Sequence, residues 1–143
     1  MSDAVEFAGI DHVDCRVRSL PAVEAFYDKL MAELGLVRKR RMHVAGGDEW
    51  RKADDAHPYN AVEYYEADRT DRATFFVGFI EDGDHQPTRT RLAFRVTRER
   101  MFELEDVLAS WGACGVVRSE EMDTYPAIFF DDPAGTKLEL VAR

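Results

Sequence analysis

Residues 10–17 read Ile10-Asp11-His12-Val13-Asp14-Cys15-Arg16-Val17, and residues 89–96 read Arg89-Thr90-Arg91-Leu92-Ala93-Phe94-Arg95-Val96. Laid on each other, His12 falls on Arg91 and Val17 on Val96. Each stretch alternates apolar and polar side chains, the mark of a strand with one face on a core and the other on something polar. Each is followed by an amphipathic helix and then by short strand-like runs. A repeat this long means two copies of one structural unit, and paired units commonly build a pocket between them.

In the first copy, Ser19 is placed as helix N-cap, with Pro21 in the first turn. Val23, Phe26, Leu30 and Leu34 mark one apolar helix face, and Gly35 is the stop. Strands are expected near 36–44, 60–66 and 73–81, and the polar stretch from Asp48 to Pro58 reads as a long loop. In the second copy, Thr97 caps a helix whose buried stripe is Met101, Leu104, Leu108 and Trp111, ended by Gly112. Strands follow near 115–119, 125–131 and 136–142, with Asp132-Pro133-Ala134-Gly135 as a turn. The expected architecture is α+β: two tandem βαβββ modules, 1–82 and 91–143, joined by a linker at 83–90, forming a curved, cavity-lining mixed sheet.

A chain of 143 residues with 45% hydrophobic content suits one domain, in which halves too small to stand alone share an interface. The net charge of −9 leaves no basic surplus to displace counterions from phosphates, which argues against nucleic acid as a partner. No run approaches the ~18 apolar residues of a membrane span. The acidic Met-Ser-Asp-Ala-Val-Glu start lacks the basic and apolar regions of a signal peptide. Cytoplasmic localisation is expected, with Cys15 and Cys114 as two buried thiols.

The chain resembles the vicinal oxygen chelate superfamily, which includes lactoylglutathione lyase, extradiol dioxygenases, fosfomycin-modifying enzymes and bleomycin-resistance proteins. The resemblance rests on Ile10-Asp11-His12-Val13, on Phe26-Tyr27 and Leu34-Gly35-Leu36, and on Leu92-Ala93-Phe94-Arg95-Val96. Its most specific part is Phe129-Phe130-Asp131-Asp132-Pro133-Ala134-Gly135-Thr136-Lys137-Leu138-Glu139-Leu140-Val141. It implies that metal-using members bring four ligands together, typically a His from the first strand and a Glu from the last strand of each copy. His12 and Glu139 stand at two of these positions. Arg91 replaces the second His, and a guanidinium has no free lone pair. Matching Tyr65 to Phe130 puts Phe76, or a residue beside it, at the position equivalent to Glu139. Two ligands of four fall below what a tight divalent site needs. The metal, if one binds through His12 and Glu139, is zinc, nickel, manganese or iron, and the metal-free form is favoured.

The resemblance implies a small-molecule enzyme of lyase, isomerase or ring-cleaving oxygenase type, here with a degraded metal site. The alternative is a metal-free ligand-sequestering protein of the bleomycin-resistance type. In a metal-independent enzyme, Glu139 shuttles a proton and Arg91 stabilises negative charge. Alternatively, an Arg91–Glu139 ion pair satisfies both groups structurally. His12, Asp14, Arg16, Phe76 and Arg95 are the candidate substrate-binding residues. His43, His57 and His85 show no paired spacing and read as surface histidines. A homodimer is expected.

Overall fold

The alternation in the first quoted stretch forms β1 (His12–Val17). Val17 is buried and Cys15 packs against the core, while His12 and Asp14 are exposed on the other face. The computed structural model describes residues 4–46 and 48–143. After β1 come α1 (Leu20–Glu33), β2 (Arg38–Ala45), β3 (Glu49–Lys52), β4 (Ala61–Tyr65) and β5 (Phe76–Glu81). The second half repeats this order without a counterpart of β3, as β6 (Arg91–Arg95), α2 (Arg98–Leu108), β7 (Cys114–Arg118), β8 (Ala127–Asp131) and β9 (Lys137–Val141). A single 3-10 turn, Ala109–Trp111, extends α2.

The strands form two mixed sheets, ordered β1-β5-β4-β2-β3 and β6-β9-β8-β7. In each half the opening strand runs parallel to the closing one, β1 with β5 and β6 with β9, and the other pairings are antiparallel. The fold is thus α+β with a duplicated βαβββ unit.

Both halves cover one core. Phe26, Tyr27 and Leu30 of α1, Met101, Leu104 and Leu108 of α2, Val77 and Phe79 of β5, and Ile128, Phe130, Leu138 and Leu140 of the second sheet belong to one buried cluster. The Phe26 ring meets Phe130 edge-on across the halves, with ring centroids 6.5 Å apart. Each such large apolar side chain contributes roughly 1.5–3 kcal/mol when fully buried. Neither half could keep that burial alone. The other face of each sheet is turned away from this core.

The most specific part of the resemblance has a structural role. Asp132 is fully buried, and its Oδ2 accepts a 2.6 Å hydrogen bond from the equally buried Tyr27 hydroxyl. Its Oδ1 accepts from the Ala134 and Thr136 backbone N–H groups at 2.7 and 3.0 Å, which closes the Asp-Pro-Ala-Gly turn. Gly135 completes that turn at φ +101°, a left-handed conformation that L side chains rarely adopt. One carboxylate therefore ties the first helix to the last turn.

Three expectations are corrected. Residues 49–52 of the expected loop form strand β3, paired with β2; it is an exposed edge strand, so its polar composition reports solvent contact rather than irregular backbone. Ser19 makes no side-chain cap bond, and the Glu81 carboxylate accepts the Leu20 N–H at 2.8 Å instead, an anion placed at the positive end of α1. Cys15 is half-buried and Cys114 exposed, because Cys114 opens the outer strand β7. The Thr97 hydroxyl caps α2 as expected, accepting from the Arg100 N–H.

Candidate functional site

On the outward face of the first sheet, strand register aligns side chains in rows. His12 lies opposite Phe76, Phe76 opposite Tyr65, and Tyr65 opposite Arg38. These groups stack. The His12 and Phe76 rings are parallel with centroids 4.4 Å apart, Tyr65 stacks on Phe76 at 4.5 Å, and Arg38 and Arg40 place guanidinium groups over Tyr65 at 5.7 and 5.9 Å.

The next row is Asp14, Gly78 and Glu63. Glu63 is 7% exposed, and its Oε1 accepts from the Tyr65 hydroxyl at 3.2 Å. Gly78 lets the two acids converge: a Cβ there would stand 2.5 Å from Asp14 Oδ1 and 3.9 Å from Glu63 Cγ. The Asp11 carboxylate bonds His12 Nδ1 at 2.7 Å, and together with Asp14 and Glu63 it holds the imidazole above its ordinary pKa, against the opposing effect of burial.

On the outward face of the second sheet, Glu139 lies opposite Phe129 on one side and Ala93 on the other. Glu139 is 5% exposed, and its Oε1 is buried with no hydrogen-bond partner among the described residues. The Tyr125 phenol lies beside this carboxylate. Glu139 raises the Tyr125 pKa by favouring the protonated hydroxyl and by its charge, against the pull of Arg143 and Arg91. No bond of ordinary length and angle joins the two. Arg91 lays its guanidinium over the Phe129 ring, 4.7 Å from the centroid.

The expected Arg91–Glu139 ion pair does not form. Register sets Arg91 opposite Lys137, and Glu139 lies two residues further along β9. From this diagonal position the guanidinium takes the aromatic face of Phe129 instead. Asp14, Arg16 and Arg91 all line a cavity of about 250 Å³ at the seam between β1 and β6. Arg95 lines a wider cavity of about 820 Å³ with Leu36, Phe75 and Phe94. His12, Phe76 and Glu139 line neither. The sequence-selected residues are thus divided between two sheet faces and the cavities beside them.

Register also corrects one equivalence. With His12 matched to Arg91, Phe76 corresponds to Lys137, and the residue equivalent to Glu139 is Gly78. The four positions that the resemblance assigns to a metal therefore hold imidazole, hydrogen, guanidinium and carboxylate. Among the described residues, no group of three or more His, Cys, Asp or Glu side chains could hold a metal ion. The residues present do not fit the divalent ion.

Glu63, Gly78 and Tyr125 were not singled out from the sequence. Glu63 carried a usable signal, since a carboxylate between Val62 and Tyr64 in a strand must face away from the core that those neighbours enter. Tyr125, just before β8, carried none. His43 and His57, far apart in sequence, have ring centroids 5.4 Å apart because a chain reversal brings them together.

The fold is the vicinal oxygen chelate fold, as comparison with solved structures shows. A glyoxalase/bleomycin resistance protein from Albidiferax ferrireducens T118 is 19% identical, with 94% of this chain and 98% of that one covered at a TM-score of 0.60. The fosfomycin resistance protein FosX from Listeria monocytogenes, solved with Mn(II) and sulfate, is 16% identical, with 96% and 91% covered at a TM-score of 0.61. An integron cassette protein from the Halifax Harbour sewage-outfall metagenome is 19% identical, with 96% and 100% covered at a TM-score of 0.56. No protein-family model and no curated protein matches the sequence. No helix among the described residues is long and apolar enough to cross a membrane.

Proposed function

We propose that this protein is a homodimeric small-molecule enzyme that catalyses proton transfer, of lyase or isomerase type, with Glu139 as the proton acceptor. The observation that carries this reading is the buried, unpartnered Oε1 of Glu139. Leaving a buried polar atom without a hydrogen bond costs about 1–3 kcal/mol, and more for a charged group. A fold tolerates such an atom where a ligand completes it. Arg91, held on Phe129 with no carboxylate partner among the described residues, is the group for negative charge that develops on the substrate. Tyr125 is a second proton carrier beside Glu139.

The way the sheets face supports the dimer. Both sheets turn their helix-covered faces to one core, so His12 and Glu139 lie on faces directed away from it. A second copy laying its first sheet over this second sheet encloses a cavity, a self-complementary arrangement of two-fold type. In it, His12, Asp14, Arg16, Phe76 and Arg95 contribute substrate contacts.

The test is deuterium exchange at carbon next to a carbonyl, followed by NMR in D₂O over a panel of small carbonyl compounds, with wild type against Glu139→Gln. Removing a general base typically costs about 10²–10⁴-fold in rate. Exchange that survives Glu139→Gln overturns the role of Glu139. Binding of panel compounds without exchange favours the sequestering alternative. Exchange lost to a chelator and restored by zinc, nickel, manganese or iron overturns the metal-independent reading.

A further inference from the structure

We infer that the seam between β1 and β6 is a second ligand site, which binds a small carboxylate with a short apolar body. The two strands are the facing edges of the two sheets, and the stretch 85–90 between the halves covers the gap. The cavity there measures about 250 Å³. That lies just under the ~300–1,000 Å³ range of drug-sized sites, so its occupant is a molecule of a few carbons.

Val13, Leu92 and Pro87 give the cavity apolar walls, and Arg16, Arg91 and Lys137 bring three cations to it against the single carboxylate of Asp14. In a chain of net charge −9, such a local excess of positive charge runs against the background. Arg16 is only loosely engaged, while Lys137 is held by both carboxylate oxygens of Asp131. Arg16 meets Asp48 at 3.2 Å, with Asp48 74% exposed, and Lys137 meets Asp131 at 2.8 Å with both side chains about one-third exposed. Solvent-exposed pairs like that of Arg16 contribute little and exchange readily for a better partner. A ligand carboxylate entering the cavity is such a partner, because guanidinium groups grip carboxylates in a planar, two-bonded fashion. Cys15 also lines the cavity, and burial pushes its thiol up to about 11, so it adds no negative charge at neutral pH.

This site shares Asp14, Arg16 and Arg91 with the residues proposed for substrate but not Glu139, which does not line it, so a Glu139 variant separates the two readings. Isothermal titration of the full chain with butyrate, inorganic phosphate and butylammonium tests it. Butyrate binds, phosphate binds at least tenfold more weakly for lack of an apolar body, and butylammonium does not bind. Leu92→Trp, which fills the cavity, and the Arg16→Gln/Lys137→Gln double variant each weaken butyrate at least tenfold, whereas Glu139→Gln leaves it within twofold. Should Leu92→Trp fail to fold, Thr90→Trp, from an exposed position on the rim, supplies the same readout. In a Cys114→Ser background, butyrate also slows alkylation of Cys15. Equal binding of butylammonium and butyrate, or butyrate affinity unchanged by the filling and charge variants, overturns the proposal.

Discussion

Glu139→Met separates a carboxylate kept for chemistry from one kept for the fold. Glu139 is 5% exposed and one of its oxygens is unpaired, so the folded protomer bears a desolvation cost of about 1–3 kcal/mol there. Methionine has nearly the same length and flexible, apolar atoms that suit the position between Phe129 and Ala93. The substitution relieves that cost and forfeits the loose contact with Tyr125, which at most equals an ordinary hydrogen bond of about 0.5–1.5 kcal/mol. The balance is a gain of about 1 kcal/mol, or a rise in Tm of roughly 3 °C for a chain of this size. Equilibrium urea unfolding, followed by far-UV circular dichroism at one fixed protein concentration, measures it, since a dimer's stability depends on concentration. A gain in stability joined to loss of exchange activity is the signature of a residue kept at the expense of the fold. A loss of 1 kcal/mol or more would show instead that the carboxylate is structural, and the reasoning from its unpaired oxygen would fail.

Tyr27→Phe should cost about 2 kcal/mol, because it removes the 2.6 Å bond to the buried Asp132 carboxylate and hydrogen bonds to charged groups contribute about 1.5–3 kcal/mol; a change within 0.5 kcal/mol in urea unfolding would contradict this. Burial, then the Asp132 charge and hydrogen bond, raise the Tyr27 pKa, so its contribution is intact below the unfolded tyrosine value of about 10 and fades as pH rises above it. The alkaline loss of stability should accordingly be shallower in Tyr27→Phe. Asp11→Asn should lower the His12 pKa in an NMR titration, since the Asp11 hydrogen bond is its largest cause. His12 stabilises the fold fully below its unfolded value of about 6.5 and loses that contribution as pH rises through the folded value, so Asp11→Asn should be less sensitive to pH across that window. Gly78→Ala should leave stability within about 1 kcal/mol, because a strand interior gains from alanine what displacing the Asp14 carboxylate loses. It should lower the His12 pKa by moving Asp14 away, and an unmoved His12 titration would refute the convergence of acids over Gly78.

Much of the fold was legible without coordinates, because periodicity is a local property. A period of two assigned Val17 to the core and His12 to the opposite face, and spacings of three and four picked the buried stripes of both helices except at their ends, where Leu34 and Trp111 lie past the helices and are only partly buried. The repeat announced a duplicated unit, and the same alternation put Glu139 on the polar face. Pairing across strands was different. Whether Phe76 or Gly78 answers Glu139, whether Arg91 reaches that carboxylate, and where Glu63 and Tyr125 lie all depend on register and on loops whose lengths differ between the halves. A shift of two residues preserves every alternation while changing every partner, so no pattern within one strand could reveal it. The sharing of one core by both helices was likewise decided in three dimensions. Burial of Phe26 against Phe130 needs surfaces more than a hundred residues apart in the chain, and the tertiary structure alone brings them together.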